Sequence, residues 1–170
     1  MCHSRFWQLL RAAVFFAVSS AMALFALSII NLSATPSTLT LTSSDPSATS
    51  TKQATVSFTI KGSPKNKAWT VSVQSTSSSF TNCASVPASA VSVQCSNVGI
   101  TGGGYLGTGA CGSSFPLSTS LTQLAGGLQG DADQNYTVLI NYVLTDAWRY
   151  PGANSPTCSL TLNYTVFAAN

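Results

Sequence analysis

The chain has 170 residues, seven basic and four acidic side chains and a formal net charge of +3, with only 6% of its residues charged. So sparse a charge cover excludes an electrostatic nucleic-acid binder, because phosphate backbones are held by stripes of lysine and arginine. Polarity comes instead from serine, threonine, asparagine and glutamine, which solvate a surface without charging it.

Residues 1–34 read as a secretory leader. Arg5 and Arg11 make a basic start, residues 12–30 are an almost unbroken apolar run, and Asn31-Leu32-Ser33-Ala34 return to small and polar types. The apolar run is close to the roughly 20 residues that span a bilayer, so an uncleaved signal anchor is the competing reading. Residues 12–30 are then the one membrane contact. In both cases the basic start stays inside and the rest of the chain is secreted or displayed at the cell surface. Cleavage after Ala34 places Leu32 three residues before the cut. Cleavage after Ala23 follows the small-x-small rule better, through Ala21-Met22-Ala23, but leaves residues 24–32 as an apolar stub.

Removing residues 1–34 leaves 136 residues, enough for one domain with one core. Residues 35–53 are rich in serine and threonine, with Pro36 and Pro46, and read as a linker containing a candidate first strand at 38–42. The sandwich domain is expected over 54–170. Val56, Phe58 and Ile60 alternate with polar neighbours, as do Trp69, Val71 and Val73, so each run is a strand with one buried face. The turn residues between them predict a hairpin. Val91, Val93 and Cys95 mark a further strand, and Leu117, Thr119 and Leu121 a weaker one. Residues 136–145, YTVLINYVLT, are apolar on both faces and predict a central strand buried on both sides. Leu160, Leu162, Tyr164 and Val166 close the series. About seven short strands, and no helical period beyond the leader, predict an all-β fold: an antiparallel, immunoglobulin-like β-sandwich preceded by an apolar leader helix.

The leader takes with it Cys2 and the only histidine, His3, leaving Cys83, Cys95, Cys111 and Cys158. An even set of cysteines in an exported chain reads as two disulfides. Pairing Cys83 with Cys95 and Cys111 with Cys158 is favoured, since the first bond would clip a short loop beside a strand. No CxxC spacing and no remaining histidine support a zinc site. Without residues 1–34 the net charge falls to +1.

The glycine run from Gly107 to Gly112 spells GxGxxG, but Ser-Ser-Phe-Pro follows where a dinucleotide site needs a helix. Asp131, Asp133 and Asn135 match the opening of a calcium loop, a weak candidate, because Tyr136 and Tyr142 stand where its glycine and glutamate belong. Asn135-Tyr136-Thr137 and Asn163-Tyr164-Thr165 are formal glycosylation sequons inside expected strands. With no histidine and no glutamate beyond the leader, acid–base and triad chemistry lack their usual groups, and the chain reads as a non-enzyme with no cofactor. Trp148, Arg149 and Tyr150, with Tyr105, are the candidate binding residues, as loop aromatics able to stack on a sugar or anchor a protein.

The leading expectation is an exported structural or adhesive subunit that associates with itself, as a homopolymer or by strand exchange, with residues 35–53 as the strand to donate. The alternative is a secreted module that binds a surface glycan through its loop aromatics.

Overall fold

The structure, a computed structural model, describes residues 28–41, 50–61, 66–144 and 158–169. The expected leader helix and the Trp148 loop lie outside these residues. The described strands are β1 (Ser28–Thr35), β2 (Thr38–Leu41), β3 (Ser50–Lys61), β4 (Ala68–Ser75), β5 (Ser79–Phe80) and β6 (Cys83–Pro87), then β7 (Val91–Gly102), β8 (Thr108–Cys111), β9 (Phe115–Pro116), β10 (Thr122–Leu128), β11 (Gln134–Leu144) and β12 (Cys158–Ala168). Among the described residues the one helical piece is a 3-10 turn at Ala88–Ala90.

Twelve strands are described where about seven are expected: β2 falls on the candidate first strand at 38–42, while the short pieces β5, β6, β8 and β9 carry too few residues for a period to show. They build two five-stranded antiparallel sheets, ordered β1-β3-β11-β7-β9 and β2-β12-β4-β10-β8, plus the small β5-β6 pair. The period-two residues of both sheets meet in one core. Val56, Phe58 and Ile60 of β3 and Val138 and Ile140 of β11 pack with Trp69, Val71 and Val73 of β4 and Leu160 and Leu162 of β12, all at most 3% exposed. Phe58 and Trp69 touch across the two layers, ring centroids 5.6 Å apart.

That contact corrects the expected β3–β4 hairpin. The two strands sit in different sheets, because their apolar faces oppose each other across the core instead of lying side by side. Strand β11 is central, paired with β3 on one side and β7 on the other. Only its even-numbered face is in the core, however. Leu139, on the other face, is 37% exposed, since no described element covers the outside of that sheet. The weaker strand at 117–121 does not form: Leu117 is buried beside β9, its N–H bonded to the Val91 carbonyl, and Leu121 is 51% exposed.

Two bulges explain where strands run further than their period. In β7 the pairing slips between Leu139 and Ile140 of β11, so that Cys95 and Asn97 face successive partners and Ser96 is the extra residue. Beyond it the inward face passes from odd to even positions, to Val98 and Ile100, as a bulge dictates. In β10 a slip at Leu124 lets Leu124 and Ala125 both turn into the core.

The N-terminal part departs furthest from the expected boundaries. Ile29, Ile30, Ser33, Ala34 and Thr35 of β1 pair with β3, so residues assigned to the leader form the edge of the first sheet. At the cis Thr35–Pro36 bond the chain crosses to the second sheet, where β2 pairs with the start of β12. The 35–53 segment thus supplies β2 and the beginning of β3. Held at both ends in its own sheets, it is not a free strand to donate.

Candidate functional site

All four cysteines of the domain are joined in disulfides, but in the other pairing: Cys83 with Cys158, 75 positions apart, and Cys95 with Cys111, 16 apart. The 3-10 turn at Ala88–Ala90 carries the chain out of β6 into β7 and so separates Cys83 from Cys95. Cys83 is left against the start of β12, where Thr81 and Ser159 exchange backbone hydrogen bonds. Cys95 faces β8, and its bond to Cys111 joins β7 of one sheet, just past its short pairing with β9, to the edge strand β8 of the other.

The candidate calcium residues do not converge. The Asp131 carboxylate accepts the Tyr105 backbone N–H at 2.7 Å, Asp133 faces Lys61 at 3.9 Å, and the Asn135 side-chain carbonyl accepts the Thr59 hydroxyl at 2.7 Å. The Lys61–Asp133 pair is exposed and screened, so it adds little to stability. Asp131 instead fastens a loop. Gln134, fully buried, completes the clamp: its amide donates to the Tyr105 carbonyl at 2.8 Å, and its carbonyl accepts the Gly107 N–H and the Tyr136 hydroxyl, each at 3.0 Å. Gly104, at φ +70°, makes the turn that brings the loop onto Asp131, a conformation that suits glycine. No local pattern marks Gln134, whose two partners on the clamped loop lie 27 and 29 positions away.

Of the candidate binding aromatics, Tyr105 stands 57% exposed on this clamped loop, while Trp148, Arg149 and Tyr150 lie outside the described residues. Trp69 is core. Its indole N–H donates to the Thr108 carbonyl at 3.1 Å, and its ring lies 5.1 Å from Tyr136, which stacks on Phe58. Gly109 allows that approach, because a Cβ there would run into Trp69 and Val98. The GxGxxG run is therefore a strand laid over a tryptophan, with no helix after it among the described residues.

A second polar cluster joins the two termini of the fold. The Tyr142 hydroxyl donates to that of Tyr164 at 2.9 Å, and Tyr164 donates to the Pro36 carbonyl at 3.3 Å. Burial pushes both phenols above their ordinary range; for Tyr142 the neighbouring Tyr164 adds to the rise. Burial also raises Tyr136, against a smaller lowering by a backbone hydrogen bond with Gly130. These phenols are protonated donors, to Gln134, Tyr164 and the Pro36 carbonyl in turn. Among the described residues no three metal-ligating side chains of the His, Cys, Asp or Glu types come together.

Compared with protein-family models, curated proteins and solved structures, the chain matches none.

Proposed function

We propose that this is an exported, non-enzymatic structural or adhesive subunit with an immunoglobulin-like sandwich, acting by association with copies of itself. The observation that carries the reading is that Asp131, Gln134 and the phenols of Tyr136, Tyr142 and Tyr164 hold loops and strands together. What the domain presents outward is a sparsely charged, disulfide-braced sheet surface. Such surfaces approach one another with little electrostatic penalty. The immunoglobulin-like comparison is supported by the first strand, which divides between both sheets as β1 and β2. Two disulfides are compatible with an extracytoplasmic location, and among the described residues no helix is long and apolar enough to cross a membrane.

Electron microscopy and light scattering of the purified exported protein test this reading; the expected result is polymers or large assemblies, and strictly monomeric protein at high concentration overturns it.

Export also has to leave the sandwich whole. Cleavage after Ala34 would remove all of β1 except Thr35, whereas cleavage after Ala23 leaves β1 intact behind the four residues Leu24, Phe25, Ala26 and Leu27. Intact-mass analysis of the exported chain is expected to show Leu24 as the first residue, with the mass rising on reduction by the four hydrogens of two disulfides. A chain beginning at Thr35 would contradict the assignment of β1 to the secreted domain.

A further inference from the structure

Strand β12 changes character halfway along. Its odd-numbered residues turn their backbone groups toward β4: the Thr161 carbonyl accepts the Thr76 N–H, and the Ala169 N–H donates to Ala68. Its even-numbered residues therefore turn theirs to the opposite side. There β2 pairs with residues 158–161, and Ser37 accepts the Leu162 N–H. The chain has then crossed to the other sheet, so among the described residues no strand pairs with this side of Tyr164, Val166 and Ala168.

The side chains follow the same division. Leu160 and Leu162, under the cover of β2, are 1% and 3% exposed. Tyr164, Val166 and Ala168 point to the same face yet are only half-buried, as are Ile29 and Ala34 of β1 across the seam. Open backbone donors and acceptors beside an unfilled apolar seam are matched by one kind of ligand, a further β-strand. At the opposite seam the Cys95–Cys111 bond ties β7 to β8 across the two sheets.

We propose that residues 164–168 of β12 accept a strand from a second copy of this chain, supplied by the apolar segment Leu24-Phe25-Ala26-Leu27 that precedes β1. The proposal rests on the association reading above and on cleavage after Ala23. From the contact between Ser37 and Leu162, β1 runs back to Ser28 while β12 runs forward to Ala168, so Ser28, to which the donor segment is joined, lies at the mouth of the seam. Filling the seam of its own copy would require a reversal, and a tight reversal uses about two residues, half of the segment. Four extended residues span about 13 Å, against about 16 Å for the five-residue edge. Donor and acceptor are different surfaces, so the contact is head-to-tail and repeats from copy to copy, building a filament or a closed ring.

The test uses the exported chain and two blocked forms. Val166→Pro removes an N–H that faces the open edge and leaves the β4 ladder untouched, a position that tolerates proline. Leu27→Asp spoils the donor and leaves the edge intact. In light scattering, wild type is expected to form high-mass species, and each variant alone to lose at least nine-tenths of them. Mixed together, the variants should give dimers, since one retains a donor and the other an acceptor. A folded Val166→Pro chain, with an unchanged thermal midpoint, that still assembles like wild type overturns the edge assignment while leaving self-association standing. Mixing without dimers overturns the donor. Wild type that stays monomeric overturns both the proposal and the association reading. If Val166→Pro fails to fold, Ala168→Pro, on the same edge nearer the strand end, carries the same outcomes.

Discussion

Replacing Cys83 and Cys158 together by serine is expected to lower stability by about 4 kcal/mol, against about 3 kcal/mol for the Cys95 and Cys111 pair, in the chain-entropy account of cross-links. The order follows from loop size, 75 positions against 16, because the longer the closed loop, the more freedom the cross-link removes from the unfolded chain. Denaturant unfolding of the three oxidised proteins gives the comparison directly. An inverted order would show that the Cys95–Cys111 bond does more than restrict the unfolded chain. It would point to the junction of the two sheet edges as a place that opens in the native state. Against a typical total of about 5 to 15 kcal/mol, loss of either bond is a large fraction of the stability.

Trp69→Ala is the second large effect, a loss of about 4 kcal/mol. The indole is 1% exposed, contacts Phe58 and Tyr136, and underlies Gly109, so no flexible neighbour is available to fill the void. It also supplies the hydrogen bond to the Thr108 carbonyl that ties β8 to the core. Trp69→Phe separates the two contributions: it retains much of the ring volume and removes the donor, with an expected cost of about 1 to 2 kcal/mol. Thermal or denaturant unfolding distinguishes the variants. Equal losses for phenylalanine and alanine would mean that the hydrogen bond, and not the packing, dominates at this position.

The strands legible in the chain are those whose apolar alternation runs unbroken: the short β2, then β3, β4, the first half of β7, β11 and β12. The second half of β7 was hidden because the bulge at Ser96 moves the inward face from Cys95 to Val98, which reads as a loss of period. Strand β10 was hidden by the slip at Leu124 and by Gly126 and Gly127, which have no side chain to mark a face. Alternation shows that a face is buried but not which strand lies beside it, hence the expected β3–β4 hairpin where the two strands belong to opposite layers. The cysteine pairing failed for the same reason, since distance along the chain says little about which strands meet. At the loop clamp, Asp131 could be seen as an acid in a turn, but its partner is a backbone N–H 26 positions away. Gln134 offered no pattern at all. At the N-terminus, an apolar stretch suited to a membrane leader also suits an edge strand with one covered face, and composition does not separate the two uses.

The Cys83–Cys158 bond also sets how far the molecule can be stretched. It closes a covalent ring containing β6 to β11, while β1 to β5 and β12 past its first residue hang outside it. A pull on the two ends of the chain passes from β5 through the bond directly into β12, bypassing every strand between. Under tension the outer strands can peel away, but the ring bears no load until the bond is reduced. The protein would lengthen by the residues outside the ring and then stop, with the loop between Cys83 and Cys158 still covalently closed.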